Sequence, residues 1–242
     1  MQRENHYVYQ PIVDMQSLAL VRYEALLRVA GVCNIEEYIK GLEHTGAIID
    51  LDLMTLRTVI SEAEAIAHPK PTPVAVNISA ISLSDSLFQR KAIDVLMNRK
   101  SRVVLSLEIT ETAPIKNLNL AMLFIHKLHR AGCTVGMDDY GEGHANLELI
   151  DDLGLDYIKL ASSLTINLET SSAARNLCRH AIIAADEKCI DVVAEHIDKV
   201  SQYTLLREMG IHQGQGWLFA KAAPKLTDVD GFESYLRKQF LP

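Results

Sequence analysis

The chain has 242 residues, of which 48% are hydrophobic and 23% charged, with 12 glycines and 7 prolines; these are the proportions of an ordinary globular protein. Its formal net charge of −7 opposes approach to DNA or to an anionic membrane surface, which excludes general nucleic-acid binding but not a small anionic ligand in a cleft. No stretch approaches the roughly 18 uninterrupted apolar residues needed to cross a bilayer, so no membrane insertion is expected.

Residues 1–6 are polar and lead straight into a strand-like run, without the pattern of a secretion signal. The runs 7–13 and 18–29 are joined only by Asp14-Met15-Gln16-Ser17, too short for a crossover helix and long enough for a hairpin. Asn34 with Glu37 reads as a capping pair opening a helix over 35–44, closed by Gly46. Ile49, Leu53, Leu56, Ile60 and Ala63 then recur at steps of four and three, one apolar face of a second helix. Pro69-Lys70-Pro71-Thr72-Pro73 is a short turn into the strand 74–78, and a helix is predicted over 85–99. The strand 103–109 follows, then a helix whose apolar face is Leu118, Met122, Ile125 and Leu128, ending before Gly132. Runs at 133–137, 157–160, 190–194 and 211–219 read as further strands, with a helix over 172–188.

Four cysteines, Cys33, Cys133, Cys178 and Cys189, form no C-x-x-C pair, and Cys133 and Cys189 adjoin apolar runs; they read as buried free thiols of a cytoplasmic protein. At this length a single core is near its upper limit, so the alternatives are one α/β barrel or two small domains. No Gly/Ser linker or charge block divides the chain, and residues 1–242 are therefore read as one domain. The fold predicted is α/β, a TIM-like (β/α)8 barrel with the first strand antiparallel.

Polar residues fall at the ends of these runs. Glu24 interrupts Tyr23-Glu24-Ala25-Leu26-Leu27, Asn77 and Glu108 end theirs, Asp138-Asp139 follow Val135-Gly136-Met137, Lys159 sits in Tyr157-Ile158-Lys159-Leu160, and Glu195 ends Val192-Val193-Ala194. In a parallel barrel the C-terminal strand ends meet on one face, where active sites form. Carboxylates gathered so closely would repel one another and raise one another's pKa values. A divalent cation relieves that repulsion, and an oxygen-rich set without paired His or Cys suits Mg²⁺ or Mn²⁺ better than Zn²⁺. Adjacent Asp138 and Asp139 allow two cations flanking a reacting phosphorus, with Lys159 offsetting phosphate charge. His144 and His196 lack a paired ligand spacing and read as loop residues; Trp217 lies in an apolar run and reads as core.

The ordered segments Gln10-Pro11-Ile12-Val13, Glu24-Ala25-Leu26-Leu27-Arg28, Asn77-Ile78-Ser79, Glu108-Ile109-Thr110-Glu111, Asp138-Asp139-Tyr140-Gly141, Asp156-Tyr157-Ile158-Lys159, Val193-Ala194-Glu195 and Gln215-Gly216-Trp217-Leu218-Phe219 resemble the EAL domain, a TIM-like barrel that hydrolyses cyclic di-GMP. The resemblance implies that Glu24, Asn77, Glu108 and Asp138 bind one Mg²⁺ or Mn²⁺ ion and that Asp139 binds a second. It further implies that Lys159 contacts the attacking water or phosphate and that Glu195 orients or deprotonates the water. Gln10, Leu26, Arg28 and Gln215 become substrate-binding residues, Arg28 at a phosphate and Leu26 in the guanine-containing cleft, while Glu111 braces the loop after 133–138. A homodimer, with cyclic di-GMP as ligand, is implied in the same way.

Three departures from the resemblance stand out. The Lys-x-Asp segment reads Lys159-Leu160-Ala161, which removes a carboxylate supporting the second metal; Glu-Gly-Val-Glu reads Glu195-His196-Ile197-Asp198; and Glu142 and Ala145 replace the usual Thr and Ser in the loop after Asp139. The expected activity is therefore a metal-dependent cyclic di-GMP phosphodiesterase of reduced rate. The alternatives are an impaired cyclic di-GMP receptor and a protein-binding scaffold that acts through a partner.

Overall fold

The computed structural model describes residues 5–66, 71–100, 103–110, 113–141, 150, 152–226, 232 and 236. Strands β1 (Asn5–Asp14), β2 (Leu20–Val29), β3 (Thr72–Ser79), β4 (Val103–Thr110), β5 (Thr134–Tyr140), β6 (Tyr157–Leu160), β7 (Asp191–Ala194) and β8 (Gln213–Gly214) close into a barrel in sequence order. Strand β1 is antiparallel to both neighbours, pairing Gln10 with Glu24 on β2 and Val13 with Gly214 on β8, and the pairings from β2 round to β8 are parallel. This is the predicted TIM-like (β/α)8 barrel with its one reversed strand. The hairpin forms because Asp14 Oδ1 accepts the backbone N–H of Gln16 at 3.1 Å and of Ser17 at 2.7 Å, turning the chain within the five residues between the strands.

Helices pack outside the barrel: α1 (Ile35–Thr45), α2 (Ile48–Ala65), α3 (Ala80–Leu83), α4 (Ser86–Met97), α5 (Leu118–Arg130), α6 (Ser162–Ile166), α7 (Ser172–Lys188) and α8 (Val200–Glu208). Local chemistry sets their limits. Asn34 Oδ1 accepts the Glu37 N–H at 3.1 Å to open α1, and Gly46, at φ 77°, ends it in the left-handed conformation that glycine adopts without strain. Asp85, Asn117 and Ser171 cap α4, α5 and α7 in the same manner. On α2 the expected face is inside, with Leu53, Leu56, Ile60 and Ala63 buried.

Several expectations are corrected. On α5 the buried residues are Ala121, Phe124, Ile125 and Leu128, whereas Met122 is exposed; the stripe is rotated because Phe124 packs edge-on against Phe88 of α4, ring centroids 6.0 Å apart. Cys133 and Cys178 are buried, but Cys33 and Cys189 are exposed, and Cys189 occupies the left-handed C-cap of α7 rather than a strand. The run 211–219 contributes only the two residues Gln213–Gly214 to the sheet. The chain must turn there because Gly216 lies against the backbone of Ile197, where a Cβ would stand 2.1 Å from the carbonyl oxygen.

The C-terminal end of β3 is clamped by the first two helices. Ser79 Oγ donates to Glu43 Oε1 at 2.6 Å, and the Ser79 N–H donates to Asp52 Oδ2 at 3.0 Å. Burial pushes the Asp52 carboxyl up from the usual 3.8 to about 7. The folded state thus holds a proton that the unfolded chain releases, so stability falls as pH rises from about 4 to 7. Asp52→Asn keeps an oxygen to accept the Ser79 N–H and removes the ionisation. Urea unfolding at pH 8 should show this variant more stable than wild type by on the order of 1–3 kcal/mol, with the gap closing at pH 4.

Candidate functional site

Alternation along the strands builds the barrel interior. Successive strand side chains point to opposite faces, so residues two apart share one. Glu24, Asn77, Glu108, Asp138, Lys159, Glu195 and Gln215 stand toward the C-terminal ends of β2 to β8 or just beyond them. Two positions further back on β2, β4, β6 and β8 are Arg22, Ser106, Tyr157 and Gln213, all buried, forming the floor beneath them.

Lys159 is the hub. It is fully buried, and its Nζ lies 2.7 Å from Glu195 Oε1, 3.1 Å from Glu108 Oε2, 3.1 Å from Asp138 Oδ1 and 3.2 Å from Glu24 Oε1. Burial alone would strip the proton from a lysine, but four surrounding carboxylates hold its pKa well above the usual value. Glu24 is also held by the Asn77 amide Nδ2 at 2.9 Å and Gln215 Nε2 at 3.0 Å; with Lys159 these outweigh the burial that opposes ionisation and keep its pKa low. Glu108 takes the Tyr157 hydroxyl at 2.9 Å on its other oxygen, and burial, with Glu24 and Asp138 nearby, pushes its pKa up to about 7. Burial likewise raises Glu195 well above the carboxylate range, assisted by the charges of Asp138 and Glu24. Glu24 and Glu195 are therefore shifted in opposite directions within one cluster.

The donor set fits a hard cation. Oxygens of Glu24, Glu108 and Asp138 lie within 4.8 Å of one another, as do those of Asp138, Asp139 and Glu195. Beside the first group, the buried carbonyl oxygen of Asn77 has no hydrogen-bond partner. An unsatisfied neutral oxygen among carboxylates is costly in a dry interior and is satisfied by a metal ion with oxygen preference. The structure thus brings together the four residues expected at the first ion. Asp139, exposed and at φ 55°, belongs only to the second group, and it donates its N–H to Asp138 Oδ1 at 3.0 Å.

A cleft of about 630 Å³ opens over this cluster, lined by Gln10, Leu26, Arg28, Asn77, Asp139, Glu195 and Gln215 among others. Gln10 is tied down by donating Nε2 to the Ala220 carbonyl at 3.1 Å, and exposed Arg28 donates to the Leu27 carbonyl at 2.9 Å. Glu111, His144 and the loop positions Glu142 and Ala145 lie outside the described residues. Ala161 is buried at the start of α6, which has no side-chain cap there. His196 has φ 54°, a left-handed conformation in which a non-glycine residue is strained; the Ile197 N–H to Gln215 carbonyl bond at 3.0 Å helps to hold that turn.

Trp217 is not core. It is 63% exposed and lines the cleft, because its N–H is held by Asp198 Oδ1 at 2.9 Å on the far side of the Gly216 turn. Sequence reasoning also passed over Tyr157 and Arg22. Their signal was positional, since each stands two residues before a site residue on the same strand.

The family model of the EAL domain matches residues 1–222. The chain belongs to the EAL domain family. It is 30% identical over 239 residues to the cyclic di-GMP phosphodiesterase PA2567 of Pseudomonas aeruginosa, covering 96% of this chain and 40% of that protein. With the cyclic di-GMP phosphodiesterase PdeR of Escherichia coli the identity is 28%, covering 95% of this chain and 36% of that protein. The chain therefore spans about two-fifths or less of the length of these curated relatives. Its fold matches the EAL domain of FimX from Pseudomonas aeruginosa, solved bound to c-di-GMP, with a TM-score of 0.78 at 19% identity over 91% of each chain. Among the described residues, no helix of this EAL domain is long and apolar enough to cross a membrane.

In the EAL fold of this chain, Lys159 is the cation that allows four acids to share one buried site. Removing one partner of a buried ion pair leaves uncompensated charge, at about 3–5 kcal/mol. Lys159→Met should lose about that much stability in the presence of a chelator, measured by urea unfolding at pH 8, and regain much of it when Mn²⁺ is added.

Proposed function

We propose that this EAL domain, with residues 1–242 acting as one barrel unit, hydrolyses cyclic di-GMP to the linear dinucleotide using Mg²⁺ or Mn²⁺, at a rate lowered by the alanine at 161. The observation that carries the reading is the unsatisfied Asn77 oxygen beside the clustered oxygens of Glu24, Glu108 and Asp138, which fits a cation rather than a purely structural ion-pair network. In this reading those four residues hold one ion, and Asp139 with Asp138 holds the second, leaving Glu195 free beside it. Bound divalent cations would supply an acidified water and neutralise charge on the phosphate.

The remaining work falls to side chains. Glu195, whose raised pKa marks a carboxylate that readily takes up a proton, orients the attacking water and accepts its proton. The water oxygen bonds to phosphorus as one P–O ester bond breaks; the bonding pair stays on the departing ribose oxygen, which takes a proton from solvent as the ring opens. Lys159, held protonated by its neighbours, offsets the charge that gathers on the phosphoryl oxygens. Gln215 and Asn77 fix Glu24, while Gln10, Leu26 and Arg28 line the cleft for the ligand, Arg28 toward a phosphate. Free thiols at Cys33, Cys133, Cys178 and Cys189 support a reducing, cytoplasmic setting. A homodimer is part of the same reading and is checked by sedimentation.

A second reading, a receptor that binds cyclic di-GMP without cutting it, is favoured by one observation: position 161, two residues beyond Lys159, is a buried alanine where the EAL pattern carries an acid that supports the second metal. The two are separated by turnover. Purified protein with Mn²⁺ should convert cyclic di-GMP to the linear product, and Glu24→Ala should reduce the rate at least 100-fold, roughly the loss of an electrostatic catalytic group. Turnover equal to that of Glu24→Ala, together with tight ligand binding by calorimetry, would establish the receptor. Ala161→Asp should raise the rate; an unchanged rate would show that the missing acid is not what limits it.

A further inference from the structure

We infer that Tyr157, braced by Arg22 and by the absence of a side chain at Gly136, is a positioning residue that sets the affinity of the first metal group by fixing Glu108; this rests on the metal-dependent reading above. Glu108 is the only one of the three carboxylates in that group whose second oxygen is held by a hydroxyl among the described hydrogen bonds. Lys159 takes Oε2 at 3.1 Å and the Tyr157 hydroxyl donates to Oε1 at 2.9 Å. Two donors on two oxygens define the plane and rotation of the carboxylate.

The tyrosine is enclosed on all the sides described. It is 1% exposed and packs with Ile12 and Val193 in a small interior cluster separate from the main core. Strand β5 pairs Gly136 with Tyr157, and a Cβ at Gly136 would fall 2.3 Å from a ring carbon, so the ring occupies the space a side chain would need. The Arg22 guanidinium carbon lies 3.9 Å from the ring centroid. Arg22 is itself buried and fixed, donating Nη2 to Gln213 Oε1 and Nη1 to Ser106 Oγ at 3.4 Å. A guanidinium stacked on a buried ring is more than packing, because it places a second positive charge beneath Glu108 and near the carboxylate group. Hydrogen-bonded partners behind a metal-binding carboxylate commonly change metal affinity tenfold to a hundredfold when removed.

The test is a calorimetric titration of metal-free protein with Mn²⁺ alone, with no nucleotide present, comparing wild type, Tyr157→Phe and Tyr203→Phe. Phe at 157 keeps the ring between Gly136 and Arg22 and removes only the hydroxyl. Tyr203→Phe removes a buried hydroxyl that donates to the Met15 carbonyl at 3.2 Å, outside the network of Arg22, Ser106 and Tyr157. The expected result is a Kd for Mn²⁺ about tenfold to a hundredfold weaker in Tyr157→Phe and unchanged in Tyr203→Phe. Equal Kd values for wild type and Tyr157→Phe would overturn the positioning role while leaving the proposed function standing. An equal loss in Tyr203→Phe would also overturn it, by showing a general softening of the fold. Absence of Mn²⁺ uptake by the wild type would overturn both.

Discussion

One buried ammonium governs this barrel. Four carboxylates cannot share an interior without a cation, since desolvation and mutual repulsion would protonate them or unfold the chain. Lys159 meets all four at ion-pair distance, and it reaches them only because β6 ends where mid-strand Glu24 of β2 and the C-terminal ends of β4, β5 and β7 converge. The closed strand order is thus a condition of the site's charge balance as well as of the fold. Reversal of β1 contributes too: its hairpin with β2 sets Gln10 opposite Glu24.

The second constraint is the two-residue period of the strands. Each inward-facing site residue on β2, β4, β6 and β8 stands above an inward-facing floor residue, so the floor chemistry is coupled to the site above. A polar floor of Arg22, Ser106, Tyr157 and Gln213 is unusual for a packed interior and costs desolvation. It is compensated internally: Ser106 bonds Thr134, Gln213 bonds both Arg22 and Asp191, and Tyr157 bonds Glu108. Only the Nε of Arg22 is left without a partner in this set. The network holds the strand ends in register from below, while the Ser79 contacts to Glu43 and Asp52 hold β3 from outside.

How much of this was legible in the sequence follows from what each signal measures. Acids at strand ends were visible because barrel topology converts position in a run into position in space, and Glu24, Glu108, Asp138 and Glu195 do meet around Lys159. Caps were visible because they are local, as at Asn34 and Gly46. Trp217 was not, because apolar character signals burial only when the backbone continues straight, and the close approach of Gly216 to Ile197 turns it outward. The rotated face of α5 was hidden for a related reason: Met122 and Phe124 are both apolar, and the larger ring takes the interior place beside Phe88. Tyr157 and Arg22 carry no motif of their own. They become readable only when paired with the site residues two positions beyond them.

Asp138 belongs to both acid groups, and this sharing ties their electrostatics together. The group with Glu24 and Glu108 is buried, so its charges act through a low effective dielectric and resist screening by salt. The group with Asp139 and Glu195 is more open: Asp139 is exposed, and the side chains of Asp138 and Glu195 are each 15% exposed. Equal numbers of carboxylates therefore give unequal fields. Under the proposed function the acid missing at 161 would serve the second ion, so the alanine there bears on the more open group rather than the buried one. On the proposed reading, holding an anionic ligand depends chiefly on the deep group and cutting it depends on both, so one missing carboxylate weakens turnover more than binding. The same asymmetry makes the open group the more sensitive to ionic strength and to the supply of divalent cation.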